Sequence, residues 1–172
     1  MANNTIRKII ICGLGSIGRR YLRIIKRNWP NLEVAVLRSG YGPECEETKL
    51  IDYQASNIGE SIEWKPDAAI ITSPANMHIT QSIAFANSGV PCLIEKPLGL
   101  GDESFEEWNK ILNLSKSIPM LLGYVLRHHP CANLIKSRLN ENILGKIVDA
   151  DFYCGSWLPK WRQDVDYLKS VS

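Results

Sequence analysis

The chain has 172 residues, 45% hydrophobic and 22% charged, with 20 Lys plus Arg against 18 Asp plus Glu. Those proportions exclude disordered, collagen-like and low-complexity classes, and a net charge of +2 is too balanced for a dedicated nucleic-acid binder. No apolar run nears the roughly 20 residues of a membrane helix, no signal-peptide stretch follows Met1, and the five unpaired-looking cysteines read as reduced thiols, so the expectation is a soluble cytoplasmic chain without a membrane partner.

Ile6 to Cys12 is an apolar, Ile-rich run that predicts a fully buried strand. Gly13-Leu14-Gly15-Ser16-Ile17-Gly18 follows at once, and a helix is expected from Ile17 to Asn28 with Ile17, Tyr21, Ile24 and Ile25 as its apolar stripe. Arg19, Arg23 and Lys26 fall on the other side and read as a solvated face. Leu32 to Leu37 predicts the second strand, which completes a βαβ unit. Cys45 to Ser56 is charged and reads as helical or irregular.

Asp67 to Thr72 predicts a further buried strand, Ile79 to Asn87 a helix stopped by Ser88-Gly89, and Val90 to Glu95 another strand. Asp102 to Ser117 is amphipathic, with Asp102 as the expected N-cap, and Met120 to Val125 is strand-like. Strands alternating with helices predict an α/β fold, a doubly wound and mostly parallel sheet over residues 1–125. Residues 126–172 read as the beginning of an α+β domain, with a helix from Pro130 to Leu139 and a strand from Ile147 to Cys154. Trp29, Trp64 and Trp108 are expected to serve packing, whereas Trp157 and Trp161 sit where a further domain or subunit would cover them.

The glycine loop lies between a buried strand and a helix, the setting a dinucleotide-binding G-x-G-x-x-G requires. Gly13 permits the tight turn, Gly15 lets backbone approach a pyrophosphate, and Gly18 allows close helix–strand packing. The helix N-terminus, from Ser16 and Ile17, then offers free N–H groups to phosphate. An NAD site usually carries an acidic residue at the end of the second strand. Here Arg38-Ser39 stands there, suited to pairing with a 2′-phosphate, which favours NADP over NAD.

Two more loops follow strand ends: Ser73-Pro74-Ala75-Asn76-Met77-His78 and Glu95-Lys96-Pro97. By position Ser73, Pro74, Asn76, His78, Glu95, Lys96 and Pro97 line the nicotinamide end of the cofactor, and a Lys crowded there can exchange a proton with a hydroxyl. No His/Cys pair has metal-ligand spacing and no Gly-x-Ser-x-Gly elbow exists, so neither a metal centre nor a hydrolase triad is expected.

The glycine loop, Ser73-Pro74 with His78, Glu95-Lys96-Pro97 and Gly123-Tyr124-Val125-Leu126-Arg127-His128-His129-Pro130 occur in an order that resembles the glucose–fructose oxidoreductase / inositol dehydrogenase / MocA family of NAD(P)-dependent oxidoreductases. The resemblance implies a Rossmann fold and hydride exchange at a sugar, polyol or nucleotide-sugar carbon. It implies that Lys96 touches the reacting hydroxyl, that the Lys96–Pro97 bond is cis, and that Tyr124 and Arg127 line the sugar pocket. Trp157-Leu158-Pro159-Lys160-Trp161-Arg162 resembles a stretch of members acting on nucleotide-linked or amino sugars, which adds Trp161 and Arg162 as substrate contacts. Members of the family are much longer and carry, in their second half, a His that shares the proton transfer. On that resemblance the chain is expected to be the N-terminal half of an enzyme, with homo-oligomer contacts through its C-terminal sheet. A dinucleotide-binding module without turnover is the alternative.

Overall fold

The computed structural model describes residues 5–40, 44–155 and 157. Strands β1 (Lys8–Cys12), β2 (Glu33–Leu37), β3 (Tyr53–Ala55), β4 (Ala68–Ile71), β5 (Cys92–Ile94) and β6 (Met120–Leu122) form one parallel sheet in the order β3-β2-β1-β4-β5-β6. Helices α1 (Ser16–Asn28), α2 (Ile58–Glu63), α3 (His78–Asn87) and α4 (Phe105–Leu114) are placed between the strands along the chain. The strand order reverses between β1 and β4, the arrangement of a doubly wound sheet with a crevice at its carboxyl edge.

Alternation along β1 shows how this sequence fills both layers. Ile9 and Ile11 point to one face, where they join Leu22 and Ile25 of α1 with Val34, Val36 and Ile70. Ile10 and Cys12 point to the other and join Ile79, Ile83 and Phe85 of α3 with Ile111 of α4. A strand buried on both faces has no polar side, which is why Ile-Ile-Ile-Cys reads as a continuous apolar run. Each fully buried Ile contributes about 1.5–3 kcal/mol.

The helix α1 turns its Gly18, Leu22 and Ile25 inward, spaced at i, i+4, i+7, and leaves Ile24 exposed. The expected stripe is thus rotated: Ile17 and Tyr21 form a half-buried flank, and Leu22 takes the central place. The basic side of α1 is also more than a solvated face. Arg23 pairs with the buried Glu47, and Lys26 reaches both Asp52 and the carbonyl of Leu32, so both fasten the β2–β3 connection to the helix.

That connection, expected to be helical or irregular, holds a short 3-10 turn at Glu46–Leu50 and then the edge strand β3, which pairs with β2. β3 is only three residues long and exposes Tyr53, too short to show a strand period. Tyr53 stacks on Trp64 at 6.0 Å with planes 2° apart, and Lys8 Nζ lies 4.6 Å from the Trp64 ring. Trp64 and Trp108 pack against the core as expected, but Trp29 is exposed because it follows the last turn of α1. The cap of α4 is Ser104 rather than Asp102: Ser104 Oγ accepts from Glu107 N–H while the Glu107 carboxylate accepts from Ser104 N–H.

The chain divides into two compact units, with Gly123 ending the first and Tyr124 opening the second. In the second, a 3-10 turn at Val125–His128 leads to helix α5 (Pro130–Asn140), capped by His129, whose Nδ1 accepts from Cys131 N–H at 3.2 Å. The strand expected over Ile147 to Cys154 is not present; these residues carry no regular structure, and Val148, Phe152 and Tyr153 are exposed. Alternation favours a strand only where a neighbour satisfies its N–H and C=O groups, and no such neighbour stands beside it among the described residues. No described helix is long and apolar enough to cross a membrane.

Candidate functional site at the carboxyl edge of the sheet

The phosphate-type loop is held from below by backbone geometry. Gly13 adopts φ +90° and donates its N–H to Leu37 O at 2.8 Å, joining the ends of β1 and β2. A Cβ on Gly13 would meet the Ser73 backbone at 3.0 Å, so the β1 and β4 loops are in direct contact. Thr72 Oγ lies 2.9 Å from both Cys12 O and Gly13 O and ties the same two loops together. Gly18 is the tightest position: a Cβ there would stand 2.2 Å from Gly13 O and 2.8 Å from Thr72 Oγ. Here the start of α1 is pressed onto the loop, and only hydrogen fits.

Gly15 is different. It caps α1 in an extended conformation, φ −70° and ψ −171°, open to any residue, and a Cβ on it would touch nothing within 4 Å. Neither backbone nor packing asks for glycine at this position. The first turn of α1 has no side-chain cap and no acidic residue, so its N–H groups and positive dipole end face outward. This cradle suits an anionic group that must come close to the backbone.

The predicted residues in the loops after β1, β2, β4 and β5 gather on the same edge, because every strand is parallel and each of these loops leaves a strand's carboxyl end. Leu14 and Ile17 are half-buried flanks of the turn, and Ser16 is exposed. Arg38 follows β2, with its N–H donated to Ala55 O at 3.1 Å, and Ser39 beside it is exposed. After β4, Ser73 donates its hydroxyl to Gln81 Oε1 at 2.6 Å, and Pro74 and Asn76 are exposed on a 3-10 turn at Ala75–Met77. His78 is buried, with Nδ1 2.7 Å from Pro97 O and Nε2 2.9 Å from Ser73 O.

After β5, the Lys96–Pro97 peptide is cis and the Lys96 side chain is exposed. Glu95 beside it is buried; its carboxylate accepts from the Tyr21 hydroxyl at 2.8 Å and from Lys96 N–H at 3.3 Å. Burial first, then the hydrogen bond and charge of Glu95, push the Tyr21 phenol up to about 12, so it keeps its proton and donates. The sequence places Tyr21 only in the apolar stripe expected of the helix and does not single out Thr72 as a site residue. Tyr124 and Arg127 lie in the second unit, both exposed, with Arg127 N–H donated to Tyr124 O. Trp161 and Arg162 lie outside the described residues.

A reversed parallel sheet with this loop at its switch point defines a Rossmann-type dinucleotide-binding domain. A family profile for the Gfo/Idh/MocA oxidoreductases, described as having an NAD-binding Rossmann fold, matches residues 7–123, and the chain belongs to that family. It is 27% identical over 141 residues to levoglucosan dehydrogenase of Pseudarthrobacter phenanthrenivorans, covering 78% of this chain and 35% of that protein. It is 24% identical over 153 residues to 2,7-anhydro-N-acetylneuraminate hydratase of Mediterraneibacter gnavus, covering 89% and 40%. Its fold matches scyllo-inositol dehydrogenase of Lactobacillus casei, solved with NAD(H) and scyllo-inositol, at a TM-score of 0.70 and 21% identity, covering 83% of this chain and 43% of that one. The chain spans well under half the length of these relatives.

Proposed function

We propose that this chain is the nucleotide-binding part of an NAD(P)-dependent oxidoreductase acting on a sugar, polyol or nucleotide-sugar carbon, with NADP preferred. The observation that carries the reading is Gly15: a glycine that neither backbone nor packing demands, at an uncapped helix start where a ligand must come close. Gly13, Leu14, Gly15, Ser16, Ile17 and Gly18 hold the pyrophosphate, while Arg38 with Ser39 takes the 2′-phosphate. Ser73, Pro74, Asn76, Glu95, Lys96 and Pro97 surround the ribose and nicotinamide, and His78 supports them from beneath.

The bound cofactor supplies hydride chemistry. Lys96 acts as the proton-transfer residue, since its exposed amine stands at the carboxyl edge beside Pro97 and can meet a substrate hydroxyl. Tyr124, Arg127, Trp161 and Arg162 are assigned to the substrate. The substrate class follows levoglucosan dehydrogenase and the inositol dehydrogenase named above, both of which act on polyhydroxylated rings. Cytoplasmic placement and homo-oligomer formation through the C-terminal region belong to the same proposal.

A calorimetric titration with NADPH and with NADH tests the reading. Binding of NADPH tighter by roughly tenfold, about 1.4 kcal/mol, supports it; binding of neither overturns it. A dinucleotide-binding module without turnover is the second reading, since the cradle at Gly13–Gly18 accounts by itself for nucleotide binding and for nothing more. Steady-state turnover with any sugar decides against that second reading.

A further inference from the structure

The Glu95–Pro97 segment that carries Lys96 is held from both faces of the sheet. On the α3 face, His78 contacts the carbonyl of Pro97. On the α1 face, the carboxylate of Glu95 accepts from Lys96 N–H and from Tyr21, and Tyr21 belongs to the helix whose uncapped N-terminus is assigned above to the pyrophosphate. Tyr21 stands five positions after Ser16, about 7.5 Å along the helix axis. The Glu95 carboxylate is also seated against the end of β6, since a Cβ on Gly123 would stand 3.1 Å from Oε1.

A merely space-filling role does not account for this pair. A Phe at position 21 would fill the flank of α1 with no hydroxyl to desolvate, and a buried carboxylate costs stability unless it is fully hydrogen-bonded. Both costs are met only by joining α1 to the β5 loop. We infer that Tyr21 and Glu95 form a strut between the phosphate-binding helix and Lys96, so that seating of the dinucleotide on α1 and the orientation of Lys96 are set together. Tyr21 is therefore a positioning residue: it acts through Glu95 and leaves the cofactor contacts to the loops. The inference rests on the nucleotide reading above and deepens it.

The test compares two ligands on the full chain by calorimetry: NADPH, and adenosine 2′,5′-bisphosphate, which has the adenosine and phosphate groups but no nicotinamide. If the unmodified chain prefers NADH, the pair NADH and ADP serves the same comparison. Tyr21→Phe and Glu95→Ala are expected to weaken NADPH roughly tenfold and leave the bisphosphate within about twofold. Glu95→Gln, whose amide oxygen still accepts from Tyr21, is expected to recover most of the loss. Emission of bound reduced nicotinamide should shift in Tyr21→Phe and in Glu95→Ala and stay near the unmodified position in Glu95→Gln, which keeps both the Tyr21 hydroxyl and an acceptor for it. Unchanged NADPH affinity in Tyr21→Phe, or equal loss of both ligands, overturns the strut while leaving nucleotide binding intact. An unmodified chain that binds none of these ligands overturns the nucleotide reading itself, and the strut with it.

Discussion

The ring of His78 bridges two loops: Nδ1 lies 2.7 Å from the carbonyl of Pro97, 19 residues further along the chain, and on its other side Nε2 is 2.9 Å from Ser73 O. The β4 and β5 loops, the two that carry Ser73 and Lys96, therefore share one buried support. Replacing His78 by Phe keeps the volume and removes the ring N–H from a place where two part-buried carbonyls face it. The cost of such an orphaned group is about 1–3 kcal/mol. Urea unfolding should show a lowered midpoint with little change in slope. A midpoint equal to that of the unmodified chain would mean that water replaces the ring without loss.

The glycine loop gives a prediction in two halves. Gly18→Ala forces a methyl to within 2.2 Å of Gly13 O, a backbone atom that cannot step aside, so a stability loss of about 1–3 kcal/mol is expected. Gly15→Ala places the methyl in open space on an ordinary backbone and should leave the unfolding midpoint unchanged. It should nonetheless weaken NADPH by roughly tenfold or more, because the methyl occupies the approach to the helix N-terminus. Thermal unfolding and titration of both variants separate the two effects; a Gly15→Ala chain that binds normally removes the pyrophosphate assignment from that residue.

Asp52 links the helix α1 to the sheet and sets an acid-side stability window. Burial opposes its ionisation, yet the Lys26 ammonium and the Val34 N–H, donated at 2.7 Å, hold its carboxyl below the usual carboxylate range. A carboxyl whose folded pKa is depressed stabilises the fold above its unfolded pKa, near 4, and the contribution is lost as pH falls through the lower folded value. Asp52→Asn should thus lower stability at pH 7 more than at pH 3. Chemical unfolding at the two pH values checks this, and an equal loss at both would show that the charge is not what matters.

The sheet was legible because its central strands are fully buried and so contiguous in apolar sequence: Ile9 to Cys12, Val34 to Leu37 and Ala69 to Ile71 leave no other reading. β3 and α2 escaped because three and six residues are too short for a period to register, and their stability comes from pairing with β2 and from the Asn57 cap, which accepts from Glu60 N–H. The loops of the site could be placed from strand ends alone. What sequence could not give was the direction of the side chains: that His78 turns inward onto Ser73 and Pro97, or that Glu95 reaches back to Tyr21, depends on a long-range packing that has no local signal. The strand expected after Ile147 failed for the converse reason, since an alternating pattern does not itself supply a hydrogen-bonding neighbour.

Arg38 stands just after β2, where an acidic residue would hold a ribose 2′-hydroxyl, and the proposed preference for NADP rests on that position. Its backbone N–H is committed to Ala55 O, which fixes the turn by which the residue leaves the sheet, and the neighbouring Ser39 is exposed for a second hydrogen bond. Arg38→Asp replaces a guanidinium suited to a dianionic phosphate with a carboxylate that repels it and accepts from a hydroxyl pair instead. NADPH affinity should fall by at least tenfold and NADH affinity should rise, inverting the ratio of the two dissociation constants. The change should leave the unfolding midpoint within about 0.5 kcal/mol, as for a substitution outside the core. If the variant retains its NADPH selectivity, the 2′-phosphate is read elsewhere on the carboxyl edge, and the end of β2 loses its role in choosing the cofactor.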